Sequence, residues 1–97
     1  MNKKFEEWLK DIKLDSTISN IFDNFPWSMR WGIYQKYFWE TKGYWLSIYP
    51  YTDKFGGRID RFWDERIFYS NFITNNPEEA QKKLVDKAFE MVNKKND

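Results

Sequence analysis

Apolar residues recur along this chain with two different periods, and the change between them marks out its elements. Near the start, Phe5, Trp8, Leu9 and Ile12 fall at i, i+3, i+4 and i+7 with Glu6, Glu7, Lys10 and Asp11 between them, the pattern of a short amphipathic helix. Asp15 or Ser16 is placed to cap a second short helix carrying Ile18, Ile21, Phe22 and Phe25, which Pro26 ends. Residues 27–42 have the β-branched and aromatic content of a strand. Three features favour a helix instead: Ser28 as N-cap, Gly43 as a left-handed stop, and Trp27, Trp31, Tyr34 and Phe38 at helical spacing. We read this segment as helix.

After Gly43 the period falls to two. Tyr44, Leu46, Ile48 and Pro50 alternate with Trp45, Ser47, Tyr49 and Tyr51, so aromatics stand on both faces of a strand. One face then covers a core, and the other is wet or covered by a partner. Gly56-Gly57 reads as the turn into a second strand over 58–63, Asp64-Glu65 as a second turn, and 66–73 as a third strand. Asn76, Pro77, Glu78 and Glu79 supply an N-cap, a first-position proline and an acidic first turn. Ala80, Leu84, Val85, Ala88, Phe89, Met91 and Val92 form the apolar stripe that follows, and Lys94 and Lys95 suit the far end. The expected fold is α+β in a single domain spanning 1–97. It comprises N-terminal helices, a three-stranded antiparallel β-meander and a C-terminal helix, an α-β-β-β-α-like two-layer sandwich.

Composition turns this outline toward binding. The chain holds six Trp, six Tyr and nine Phe but no His and no Cys. Large aromatic side chains dominate interface energetics. His and Cys supply most acid–base, nucleophilic and metal chemistry near neutral pH. A binding protein is expected rather than an enzyme, with no cofactor. Sixteen basic and fifteen acidic side chains nearly cancel, which gives no general electrostatic pull toward nucleic acid. Mean hydropathy is −0.87, and no apolar run approaches the roughly 20 residues needed to span a bilayer. Lys3-Lys4 is not followed by the apolar run of a secretory signal. With no disulfide framework available, the expectation is a cytoplasmic protein with no membrane partner.

Candidate chemistry is sparse. Asp60, Asp64 and Glu65 could hold Mg²⁺, but they lie among Arg58, Arg61 and Arg66 and read more simply as surface ion pairs, so no metal site is assigned. Gly56-Gly57 leads into a strand and lacks the Lys-Ser/Thr of a phosphate loop. The expected topology is also that of double-stranded RNA-binding domains, which use a basic cluster at the start of the last helix and a histidine-bearing loop. Here that helix opens on Glu78 and Glu79 and there is no histidine, so the likeness is one of topology alone. RNA-binding through sheet aromatics stays open, since Lys54, Arg58, Arg61 and Arg66 are interleaved with Phe55, Phe62 and Trp63. Phe5, Trp8, Phe22, Trp31, Phe38, Phe72 and Phe89 are expected in the core. Trp39, Trp45, Tyr49, Tyr51, Phe55 and Trp63 lie where the core stripes do not need them, and some should be exposed. The partner-binding surface is therefore expected on the hairpin, at Lys54, Phe55, Arg58, Arg61, Trp63 and Arg66, with Trp45, Tyr49 and Tyr51 of the first strand as the neighbouring face.

The run Phe25-Pro26-Trp27-Ser28-Met29-Arg30-Trp31-Gly32-Ile33-Tyr34 resembles a segment of small uncharacterised prophage proteins of Bacteroidetes-type bacteria. So do Lys42-Gly43-Tyr44 and the tail from Glu78-Glu79-Ala80-Gln81 to Lys87-Ala88-Phe89-Glu90-Met91. The likeness is weakest over 55–70, which is longer and more basic here. Its motifs are a cap, a glycine stop and an alanine-rich core face, and they designate no active site. What the resemblance implies is a phage context, in which small proteins without catalytic groups often inhibit host defence, anti-CRISPR proteins among them. The expected function is a phage-encoded, non-catalytic inhibitor that binds a host defence nuclease, foremost a CRISPR effector protein or ribonucleoprotein, in the cytoplasm of the bacterial host. The alternatives are a direct RNA- or DNA-binding regulator and a self-associating phage accessory protein, with the chain a monomer or small homo-oligomer.

Overall fold

The computed structural model describes residues 3–11, 22–61, 66–69 and 74–95. The first helix, α1, spans Lys3–Asp11 and buries Phe5 and Leu9, as its spacing requires. Of the second expected helix, residues 12–21 lie outside the described residues. Phe22–Asn24 forms a single 3₁₀ turn, closed by the Phe25 N–H donating to the Phe22 carbonyl at 3.0 Å.

Helix α2 spans Trp27–Lys42. Its opening differs from the expected Ser28 cap. The Pro26 carbonyl accepts from the N–H of Met29 (3.0 Å) and of Arg30 (3.2 Å), which leaves Ser28 exposed inside the first turn. A proline suits that place, because the N–H it lacks would have no helical partner there. The far end is as expected. Gly43 takes a φ of 69°, which residues with a Cβ adopt at a cost, and its N–H donates to the Trp39 carbonyl at 3.0 Å.

Strand β1 (Tyr44–Tyr51) pairs antiparallel with β2 (Lys54–Arg61), from Tyr44 opposite Arg61 to Tyr51 opposite Lys54. The turn is therefore Thr52-Asp53 and not Gly56-Gly57. A two-residue hairpin loop needs a left-handed residue at its first position. Thr52 supplies it with a φ of 56°, its hydroxyl donating to the Tyr51 carbonyl at 2.6 Å and the Asp53 carboxylate at 3.2 Å. The glycine pair sits inside β2 instead, and both residues are buried. Gly57 is there for space. A Cβ at that position would lie 2.9 Å from Leu84 Cδ1.

A short strand β3 (Arg66–Tyr69) pairs with β2 through Arg58 opposite Tyr69 and Ile59 opposite Phe68, with a register shift before Asp60 opposite Arg66. Thr74 bridges Phe55, each N–H donating to the other's carbonyl at 2.9 Å. Phe55 thus turns its backbone groups away from β1. Pro50 stands opposite Phe55, so the N–H it lacks would also have pointed away from β2, and no ladder bond is lost. The last helix, α3, spans Pro77–Lys95, and the Asn76 side chain caps it by accepting the Glu79 N–H at 2.7 Å. The class is α+β, helices with an antiparallel sheet.

The described structure falls into two compact units, 1–37 and 38–97, divided within α2. In the first, Phe5 centres an aromatic cluster, its ring 5.0 Å from those of Tyr34 and Tyr37, 5.2 Å from Phe22 and 6.0 Å from Trp8. Edge-to-face and offset contacts of this kind add about 0.5–1.5 kcal/mol each beyond the area they bury. In the second, α3 lies on one face of β1 and β2, burying Leu46, Ile59, Ala80, Leu84, Val85, Ala88 and Val92. Phe38, from the end of α2, meets Phe89 of α3 edge-on at 4.8 Å. Trp8, Trp31 and Phe89 are only partly buried, and Phe72 lies outside the described residues.

Candidate functional site

The direction of Gly57 assigns the two faces of the hairpin. A Cβ built there meets Leu84, so 55, 57, 59 and 61 of β2 share the face turned to α3 with Tyr44, Leu46, Ile48 and Pro50 of β1. The opposite face carries Trp45, Ser47, Tyr49 and Tyr51 on β1 and Lys54, Arg58 and Asp60 on β2. Cross-strand register pairs Trp45 with Asp60, Ser47 with Arg58 and Tyr51 with Lys54. Trp45 is 46% exposed and Tyr51 54%. Trp39, in the last turn of α2, is 40% exposed and meets Trp45 edge-on at 5.9 Å. The glycine stop after Lys42 is what brings the end of the helix beside the start of the strand.

Arg58 sits in the middle of this face. Its Nε donates to both oxygens of Asp60, at 2.9 and 3.2 Å, and the two Nη groups take no part in that pair. The pair is half exposed, so it adds at most about 1 kcal/mol to stability. Its larger effect is geometric. Asp60 fixes the Nε edge of the guanidinium, and in register Arg58 stands opposite Ser47 with Trp45 and Tyr49 on the diagonals.

Of the residues expected to bind a partner, Lys54, Arg58, Trp45, Tyr49 and Tyr51 share one face. Phe55 and Arg61 belong to the face turned to α3, since strand alternation separates Arg61 from Arg58. Arg66 stands opposite Asp60 in register. Trp63 lies outside the described residues, as do Phe62, Asp64 and Glu65. Ser47, Asp60 and the contact of Trp39 with Trp45 were not anticipated as parts of the site. Counting alternation back from the true turn would have found the first two, and the last-turn position before Gly43 the third. Among the described residues no three His, Cys, Asp or Glu side chains group as metal ligands. Lys82, the basic residue nearest the start of α3, is paired to Glu78 at 3.2 Å.

No protein-family model matches the chain, and no curated protein or solved structure matches it. Among the described residues no helix is long and apolar enough to cross a membrane.

Proposed function

We propose that this is a non-catalytic binding protein that docks the hairpin face opposite α3 on a partner protein. We further propose that the partner is a host defence nuclease, foremost a CRISPR effector ribonucleoprotein met in the bacterial cytoplasm. One observation carries the reading: exposed Trp45 and Tyr51 flank a central, half-exposed Arg58 on a face that α3 does not cover. Trp, Tyr and Arg are the residue types that most often anchor protein interfaces. Here they stand on paired strands, which hold their spacing better than a loop would. The reading treats the three-stranded meander backed by α3 as a two-layer sandwich with one layer open to a partner. The prophage resemblance supplies the class of partner.

A protein surface is favoured over naked nucleic acid. Arg58 already shares its charge with Asp60, which leaves this face few cations for phosphates. The row of exposed rings beside Lys54 is what favours the second reading, a direct RNA- or DNA-binding regulator that stacks bases on the sheet.

The test is capture of the tagged protein's partner from a host lysate, with and without nuclease treatment, followed by binding of single variants. Trp45→Ala, Tyr51→Ala and Arg58→Ala should each weaken binding by about 2 kcal/mol, roughly thirtyfold, with melting nearly unchanged. Arg61→Ala, on the face turned to α3, should leave affinity intact. Wild-type binding by all three outer-face variants would refute the assignment. Tight binding to a bare oligonucleotide, lost steeply with added salt, would favour the regulator. A stable homo-oligomer that buries this face would favour self-association.

A further inference from the structure

Arg30 is unlike the described cations that form ion pairs. Arg58, Lys82 and Lys87 pair with Asp60, Glu78 and Glu90. The Nε of Arg30 is shielded from solvent and has no hydrogen-bond partner, and the guanidinium lies 5.2 Å over the Trp27 ring. Its own helix supplies no carboxylate within reach. The positions three and four away are Pro26, Trp27, Ile33 and Tyr34, and the first turn has no acidic residue. An Nε–H that has given up water for a place beside a ring keeps only part of what hydration gave it. The ring contact seats the guanidinium over Trp27, so an incoming oxyanion would have less left to order.

We propose that Arg30, seated on Trp27, receives an acidic side chain from a protein partner. The Nη edge of the guanidinium would fork the Glu or Asp carboxylate, and Met29, 52% exposed in the same turn, would give apolar contact beside it. A carboxylate fits better than a phosphate chain because the site offers one charge in apolar surroundings. Lys36 is the next basic residue along α2 and stands too far along the helix to share a turn with Arg30. Arg, Trp and Met are also the types enriched in the buried centres of interfaces. This contact belongs to residues 27–30, in the first compact unit, and does not depend on the reading of the hairpin.

The test uses the full chain and sodium acetate as the carboxylate probe, at ionic strength held constant with chloride. Arg Nε–H and Trp indole N–H signals are followed by NMR, with sodium phosphate as a second arm. Acetate should move the Arg30 and Trp27 signals saturably while the Arg58 signal, already bonded by Asp60, stays in place. Arg30→Gln should weaken the Trp27 response about tenfold or more, the usual worth of a charge-assisted hydrogen bond. Arg30→Lys should keep a weakened response. No acetate response in the wild-type protein, or equal movement of Arg58, would overturn the proposal. Saturation by phosphate alone would overturn it in favour of a phosphate-bearing ligand. The wild-type titration decides the matter even if a variant fails to fold.

Discussion

Gly57→Ala is the sharpest probe of how α3 sits on the hairpin. Glycine in a strand interior is ordinarily a weakness, and replacing it with alanine stabilises by about 0.5–1 kcal/mol through the unfolded chain. Here the added methyl would lie 2.9 Å from Leu84 Cδ1 and 3.3 Å from both its Cβ and Cδ2. Leu84 is fully buried and cannot swing into solvent. Its Cβ is fixed to the helix, so relief requires a new rotamer in a filled core or a shift of α3. Overpacking of this kind costs about 1–3 kcal/mol against that backbone gain, so the stabilisation glycine replacement ordinarily brings is cancelled or reversed, with a net loss of up to about 2.5 kcal/mol. Leu84→Ala alone should lose about 2–5 kcal/mol by opening a cavity. In the double variant the new methyl enters the space that Leu84 vacates, so the combined loss should fall short of the sum by about 1 kcal/mol or more. Urea unfolding followed by circular dichroism measures all three variants. A Gly57→Ala protein more stable than the wild type, or strict additivity in the double variant, would refute the packing argument.

Three further outcomes are expected. Thr52→Gly should raise stability by about 1 kcal/mol, because a β-branched residue held at a φ of 56° is strained and its hydroxyl bonds are exposed; a lowered melting temperature would show the hydroxyl matters more. Asn76→Ala should cost about 1 kcal/mol by leaving the Glu79 N–H uncapped, and hydrogen exchange in the first turn of α3 should quicken; unchanged exchange would count against the cap. Burial raises the Tyr37 phenol above its ordinary 10.0, so the fold favours the neutral form. Its contribution should be complete below pH 10 and be lost as pH rises through the folded value, and Tyr37→Phe should remove that share of the alkaline decline in unfolding free energy.

Much of the helical structure was legible because its punctuation is chemical. Asn76 and Pro77 announce α3, Gly43 ends α2, and the Ala80, Leu84 and Ala88 spacing names the buried stripe. The opening of α2 was less legible, because a serine near a helix start is a common cap and Pro26 left no side-chain signal to weigh against it. The hairpin turn was missed for a sharper reason. Two adjacent glycines are a stronger turn signal than Thr-Asp, but that signal assumes glycine is there for its φ. At Gly57 it is there because Leu84 occupies the space a side chain would need. The exposed aromatics Trp39, Trp45 and Tyr51 were legible by elimination, since no core stripe used them. Placing Arg58 and Arg61 together ignored strand alternation, which the sequence alone supplies. The Trp27–Arg30 stack also follows a spacing of three residues on a helix, a relation that can be read from sequence once the helix is assigned.

Moving the turn from 56–57 to 52–53 changes what the hairpin can be. With its turn at the glycines, Arg58 would begin a strand beside a loop tip, where substitution costs little and position is loosely held. With the turn at Thr52-Asp53, Arg58 is four pairs in from the end, opposite Ser47, and its neighbours are set by a ladder running from Trp45 to Lys54. The same two strands then do two things in alternation. Gly57 and Ile59 carry the packing of α3, while Arg58 and Asp60 between them face outward. An outer face built this way cannot be varied by a one-residue insertion or slip, because either change would turn Ile59 outward and Arg58 into the core. It can be varied only by exchanging outward side chains in place. If the outer face binds a partner as proposed, specificity should reside in the identities at 45, 47, 49, 51, 54, 58 and 60, and exchanges at Gly57 or Ile59 on the face turned to α3 should instead cost stability, which thermal melts of the two sets of variants would separate.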